Sequence, residues 1–181
     1  MGPFRYQQNF TGICAFIEHV WSKLIVRHPE AELVILGGVE SADARFFTPL
    51  LRQSGVRLIS QFVDTAPLLA SCALTINPQQ EIRGSALKVA ESLLSRRVCV
   101  STAHGARGFD HLDASSLRIC SDWSIMLNEL DQLLADPARR RQLEVCSPEV
   151  RASLSWDGKA QQLFELYRSL IPHHFTSGTY S

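Results

Sequence analysis

The chain has 181 residues, 45% of them hydrophobic and 20% charged, with 18 Lys and Arg balanced by 18 Asp and Glu. That length and composition fit an ordinary folded domain with a real core and exclude a disordered chain. Zero net charge leaves no basic footprint for nucleic acid or an anionic membrane, no apolar run nears the ~18 residues of a membrane span, and Met1-Gly2-Pro3-Phe4 has neither the charged region nor the apolar core of a signal peptide. The expectation is a soluble, cytoplasmic domain with no nucleic-acid partner and no transmembrane segment.

Helical period appears first. Phe10, Ile13, Phe16, Ile17, Val20, Trp21 and Leu24 recur at spacings of three and four, with Asn9 as the predicted N-cap and Pro29 as the stop. Leu33-Val34-Ile35-Leu36, closed by Gly37-Gly38, reads as a buried strand. A second helix is predicted from Asp43 to Gln53, ended by Gly55, then a strand from Val56 to Ile59 and a short helix from Asp64 or Thr65 through Leu69. Leu74-Thr75-Ile76 is a strand, Ser85 to Leu94 a helix, Val98 to Ser101 a strand and Leu117 to Ile119 a last short strand. The rest reads as helices at about 123–134, 138–153 (broken at Pro148) and 156–170, with Ser155 as N-cap, Trp156 packed near the helix start, and 172–181 as a flexible tail.

Short, continuously apolar strands alternating with helices are the mark of a parallel sheet covered on both faces. The fold class is therefore α/β, a Rossmann-like doubly wound parallel sheet, with a helical C-terminal cap, forming a single domain over residues 1–171. The five cysteines (Cys14, Cys72, Cys99, Cys120, Cys146) are widely spaced, with no C-x-x-C, and read as buried, reduced thiols rather than a metal site or disulfide framework. The histidines form no ligand pattern.

Doubly wound sheets bind ligands at the carboxyl ends of their strands, so the loops there carry the functional argument. The densest is Asn77 to Glu91. A strand leads through Gly84 into a helix starting at Ser85. Unsatisfied N–H groups at a helix start, with the helix dipole, form an anion site, and Gly84 lets a ligand approach the backbone closely. Lys88, one turn in, is placed for a diphosphate oxygen. Glu91, three residues on, could accept two hydroxyl protons from a ribose. The same residues also fit an ordinary surface ion pair after an ordinary strand-to-helix turn. No P-loop, complete G-x-G-x-x-G or serine nucleophile elbow is present. The loop Ser101 to Phe109 could line the same cleft; its His104 reads as a catalytic base or, without an orienting partner, as a solvent or capping group. Arg139-Arg140-Arg141 reads as a solvated helix face.

The order of these motifs resembles the C-terminal, nucleotide-sugar-binding half of retaining glycosyltransferases of family 4 (glycosyl transferases group 1, GT-B fold). The resemblance runs from about Gly2 to Leu170. It rests on Tyr6-Gln7-Gln8-Asn9, the stretch His28 to Gly37, Asp64 with Leu69 to Ala73, Arg83 to Glu91, Val98 to Gly108, Leu133 to Pro137 and Ser155-Trp156. It implies that Glu91 binds the ribose hydroxyls, as the second glutamate of an E-x₇-E motif. It implies that Leu87 and Lys88 hold the diphosphate, that Gly84, Ser85 and Ala86 face the sugar, and that Phe62 belongs to the nucleobase pocket.

There are departures. The first glutamate of E-x₇-E falls at Arg83, which is not acidic, although a subgroup with a glycine-rich G-[ST]-x-L-K-x-x-E pattern lacks it too. Ser60 stands where glycine is usual. In this fold the active site lies between two domains, and the N-terminal acceptor domain is missing from the chain. The first helix also lacks its preceding strand, of which only Met1 to Phe4 remain. A truncated product, a deliberate piece or a mis-set start codon is expected.

The resemblance implies transfer of a sugar from a nucleotide-diphosphate donor to an acceptor hydroxyl with retention. No cofactor or metal is expected, because the helix dipole and Lys88 meet the charge on the leaving diphosphate. The alternatives are a non-enzymatic remnant or nucleotide-binding module lacking the acceptor domain, and a related GT-B enzyme such as a nucleotide-sugar epimerase.

Overall fold

The computed structural model describes residues 2–81, 86–112 and 115–170. The chain is α/β, with parallel strands flanked by helices. It forms two compact units, one up to Cys146 and one from Ser147.

The first unit opens with a helical stretch built from α1 (Gln7–Phe16), a π-helical turn (Ile17–Trp21) and α2 (Ser22–Arg27). The apolar period read from the sequence is its buried face: Phe16, Ile17, Val20, Trp21 and Leu24 are all within the core. Asn9 is not its N-cap. The cap position is Tyr6, and Asn9 lies inside the first turn, where its Nδ2 donates to Pro3 O at 3.0 Å. Its amide is drawn into tertiary contacts instead of closing the helix end.

β1 (Leu33–Leu36) pairs in parallel with β2 (Val56–Ile59), Leu33 opposite Val56 and Leu36 opposite Ile59. Between them the predicted helix over Asp43–Gln53 is replaced by three 3₁₀ turns, Val39–Ala42, Ala44–Phe46 and Pro49–Arg52. The reason is local. Asp43 accepts from Arg45 N–H and Thr48 from Leu50 N–H, so each side chain restarts the turn, and Pro49 cannot donate to a continuing helix. α3 (Thr65–Ser71) is capped by Asp64, which accepts from Ala66 N–H at 3.0 Å.

β3 (Thr75–Asn77), β4 (Cys99–Thr102) and β5 (Leu117–Cys120) form a second parallel sheet in that order. Alternation along β4 gives it two faces. Val98 and Val100 join the core shared with the first helical stretch and α5 (Trp123–Ala135), while Cys99 is turned toward Lys88 and Ser92 on α4 (Leu87–Leu94). Helices therefore cover both faces of this sheet. Among the described residues no backbone pairing joins the two sheets; a gap separates β1 from β3.

α6 (Pro137–Leu143) is capped by Asp136, which accepts from Ala138 and Arg139 N–H at 2.9 Å each. Its arginines are not merely a solvated face. Arg139 bonds Gln132 and Glu129, and Arg140 donates to Leu133 O, so the two pin α6 to α5. The predicted break at Pro148 separates α6 from α7 (Pro148–Leu154), which belongs to the second unit with α8 (Trp156–Leu170). Ser155 caps α8 as expected, accepting from Gly158 N–H at 2.9 Å. Trp156 is not packed: it is 84% exposed. The predicted tail at 172–181 lies outside the described residues. Among the described residues no helix is long and apolar enough to cross a membrane.

Residues 2–4 join the first sheet, with Gly2 N–H donating to Leu36 O at 2.9 Å and Phe4 N–H to Gly37 O at 2.8 Å. Phe4, Phe10 and Phe46 stack edge to face at centroid distances of 5.1 to 5.5 Å, and Phe4 is fully buried. Phe4→Ala is expected to cost about 3 kcal/mol in urea-induced unfolding, because it removes the member of the trio that anchors the chain start.

Candidate functional site

The carboxyl ends of β1, β3 and β4 carry the residues that the loop argument singled out. α4 begins at Leu87 behind Ala86, an N-cap with no side-chain oxygen to close the first turn. The neighbouring helices α3, α5 and α6 are closed by Asp64, Asp122 and Asp136. Among the described residues no side chain closes the start of α4, where the positive end of its dipole lies.

Lys88, the second residue of α4, turns inward. Its Nζ donates to Asn9 Oδ1 at 2.7 Å, and the same oxygen accepts from Gln79 Nε2 at 3.0 Å. Burial pulls the Lys88 ammonium down to about 8, with Cys99 and Glu91 acting weakly in the opposite sense. Lys88 is therefore no ordinary surface lysine: three segments (the start of α1, the loop after β3 and α4) meet on one amide. It lines a small cavity of about 40 Å³ with Asn9, Leu36 and Asn77. Asn77 is buried there, and among the described residues its Oδ1 has no hydrogen-bond partner.

The loop after β3 is tied to the loop after β4. Asn77 Nδ2 donates to Gly105 O at 2.8 Å, Ser101 Oγ donates to Asn77 O at 3.2 Å, and Thr102 Oγ1 donates to Gln79 O while accepting from Gly105 N–H at 2.9 Å. Gly105 is needed for close approach: a Cβ there would meet Asn77 O and Ser101 Oγ at 2.6 Å each. Gly12 plays the same part from α1, where a Cβ would stand 2.7 Å from Pro78 O. These glycines hold the floor of the site together.

Of the sequence-predicted site residues, Ala86, Leu87, Lys88 and Glu91 share the first two turns of α4. Ala86 is buried, Leu87 is 54% exposed and Glu91 is exposed. Phe62, after β2, is 96% exposed. Arg83, Gly84 and Ser85 lie outside the described residues. His104 is exposed on the loop after β4. Asn9, Gln79 and Asn77 were missed as site residues. Asn9 interrupts the start of an apolar stripe, but a polar residue there is equally a cap, and Gln79 carries no local signal at all.

The thiols of Cys14, Cys99 and Cys120 are each pushed up to about 11, chiefly by burial, and all five cysteines are unpaired. These are poor nucleophiles, Cys99 included, although it lies beside Lys88. Among the described residues no cluster of three His, Cys, Asp or Glu side chains could hold a metal.

Two outcomes test this arrangement. Gly105→Ala should cost about 2 kcal/mol in chemical denaturation, since both clashing atoms are fixed by their own hydrogen bonds. Lys88 folds with a pKa of about 8 against 10.5 unfolded, so above pH 8 the unfolded chain holds a proton that the folded chain has lost. Its contribution to stability therefore rises with pH across that window, while the three raised thiols pull the other way above pH 9. The difference in unfolding free energy between wild type and Lys88→Met isolates the lysine: it should shift in favour of wild type between pH 8 and about 10.

The family model for glycosyl transferases group 1 matches residues 1–136, through the end of α5. No curated protein sequence matches the chain significantly. The match spans both sheets, α4 with Lys88, and the loops that surround it. The chain belongs to the glycosyl transferases group 1 family.

Proposed function

We propose that the chain is the C-terminal, donor-binding half of a retaining family 4 glycosyltransferase with a GT-B fold, and that it binds a nucleotide-diphosphate sugar at the start of α4. The observation that carries this reading is the helix start itself. Ala86 gives it no capping side chain, and Lys88 places one cation, held by Asn9, beside the carboxyl ends of the strands. A diphosphate is the anion that uses both features at once.

In this reading the diphosphate lies over Leu87 and Lys88, Gly84, Ser85 and Ala86 with Arg83 face the sugar, Glu91 takes the ribose hydroxyls and Phe62 offers an exposed ring to the base. Transfer breaks the bond from the anomeric carbon to the diphosphate oxygen. The electron pair leaves with the nucleoside diphosphate, and the acceptor hydroxyl passes its proton to the departing diphosphate oxygen as its own oxygen bonds the sugar on the same face. The α4 dipole and Lys88 stabilise the departing charge, with no metal required. The acceptor is held by an N-terminal domain.

A nucleotide-binding module without turnover is the second reading, favoured by Arg83 standing where the E-x₇-E pattern has its first glutamate.

Titration calorimetry with UDP and GDP decides. Binding of one of them is expected, weakened about tenfold by Glu91→Ala and about 10- to 100-fold by Lys88→Met, as for lost hydrogen bonds to charged groups. Binding should also take up a proton near pH 8, because a bound anion raises the lysine's lowered pKa. No binding of either nucleotide overturns donor recognition, and equal binding by Glu91→Ala overturns its ribose role. A sugar-transfer assay with an N-terminal acceptor domain supplied separates the two readings.

A further inference from the structure

The side-chain amide of Asn9 can face only one way. Its Nδ2 donates to Pro3 O at 3.0 Å, and a carbonyl only accepts. Its Oδ1 takes the other side, accepting from Gln79 Nε2 at 3.0 Å and from Lys88 Nζ at 2.7 Å. The flipped amide would set oxygen against oxygen at Pro3 and N–H against N–H at both Gln79 and Lys88. Gln79 is itself buried and tied at its backbone oxygen to Thr102 on β4, so the amide has a fixed seat. None of these bonds closes α1, whose cap position is Tyr6.

The lysine held this way keeps its charge for something else. An ammonium has three N–H groups, and among the described residues Asn9 takes one of Lys88's, which leaves two. Among the described residues no carboxylate is in ion-pair contact with it. Cys99 on β4 and Glu91 on its own helix favour its charge weakly, while α1 and the loop after β3 bring only amides to the cluster. Burial pushes the Cys99 thiol up to about 11, so it stays neutral around pH 8. A neutral acceptor is what this seat needs: a carboxylate at position 9 would hold the ammonium as firmly and cancel the charge it offers an anion.

We propose that Asn9 is a positioning residue for the donor: as a neutral acceptor on a fixed seat, it aims the Lys88 ammonium so that the two remaining N–H groups meet the diphosphate. This role rests on donor binding at the start of α4 and adds what the lysine alone lacks. A free lysine side chain samples many rotamers, and holding its end before the ligand arrives removes that ordering cost from the binding step. Asn9 touches no substrate and acts only through Lys88.

The test uses the full chain. It has three lysines, Lys23, Lys88 and Lys159, so isotopic labelling of lysine gives NMR signals in which Lys88 is assigned by its loss in Lys88→Met. Its titration midpoint near 8 should rise by about one pH unit or more in Asn9→Asp, because a carboxylate in that seat favours the ammonium. An unchanged midpoint overturns the contact with no nucleotide present. Calorimetry with UDP and GDP then completes a double-mutant cycle. Asn9→Ala should weaken binding about tenfold in the wild-type chain and less than about twofold in Lys88→Met, since a residue that acts through the lysine has no effect once the lysine is gone. A purely structural tie would cost the same in both backgrounds. Equal losses, or no loss in the wild-type chain, overturn the proposal and leave donor binding intact. If Asn9→Ala does not fold, Asn9→Leu, of nearly the same shape as asparagine, takes its place in the cycle. No binding of either nucleotide by the wild-type chain overturns donor recognition and this role together.

Discussion

The apolar face of the first helical stretch is the contact on which the first unit depends. Phe16, Ile17, Val20, Trp21 and Leu24 form one core with Leu33 and Ile35 from one sheet and with Val98, Val100 and Cys120 from the other. Among the described residues the two sheets share no backbone pairing, so helix burial rather than a continuous ladder holds them together. α5 completes the layer through Met126, Leu127, Leu130 and Leu133. Around the edge, polar ties reinforce it: Arg27 and His28 both bond Asp131, at 2.7 and 2.8 Å, and hold that carboxyl below the usual range.

The candidate site is a consequence of the same packing. Seating α1 against the second sheet brings Asn9 over the loop after β3 and within reach of Lys88. Gly12 permits that approach. A lysine half withdrawn from water and anchored on an amide carries a charge it gives up easily. The Lys88 charge is thus tuned by tertiary contact, on a helix whose N-cap, Ala86, offers no side-chain oxygen.

Much of the fold was legible in the chain. The three- and four-residue spacing of Phe10 to Leu24 survives as a buried face, and every predicted strand forms within a residue or two, since short β-branched runs between glycines and polar turns have few other uses. Asp64 and Ser155 cap the helices they were expected to cap. The stretch Asp43–Gln53 was not legible as three 3₁₀ turns, because hydrophobic period does not register the competition of Asp43 and Thr48 side chains for backbone N–H groups. Trp156 fails differently: a large aromatic predicts burial from its own chemistry, and burial depends on what lies opposite.

By itself the sequence determined the local elements, the α/β class and the placement of Lys88 and Glu91 near a helix start, because these follow from periodicity, caps and turn residues a few positions apart. Tertiary structure alone decided which residues meet. Asn9 accepts from both Gln79 and Lys88, 70 and 79 residues away, and β1 and β3 line one cavity. Long-range partners are selected by the packing of whole elements, and no local spacing encodes them.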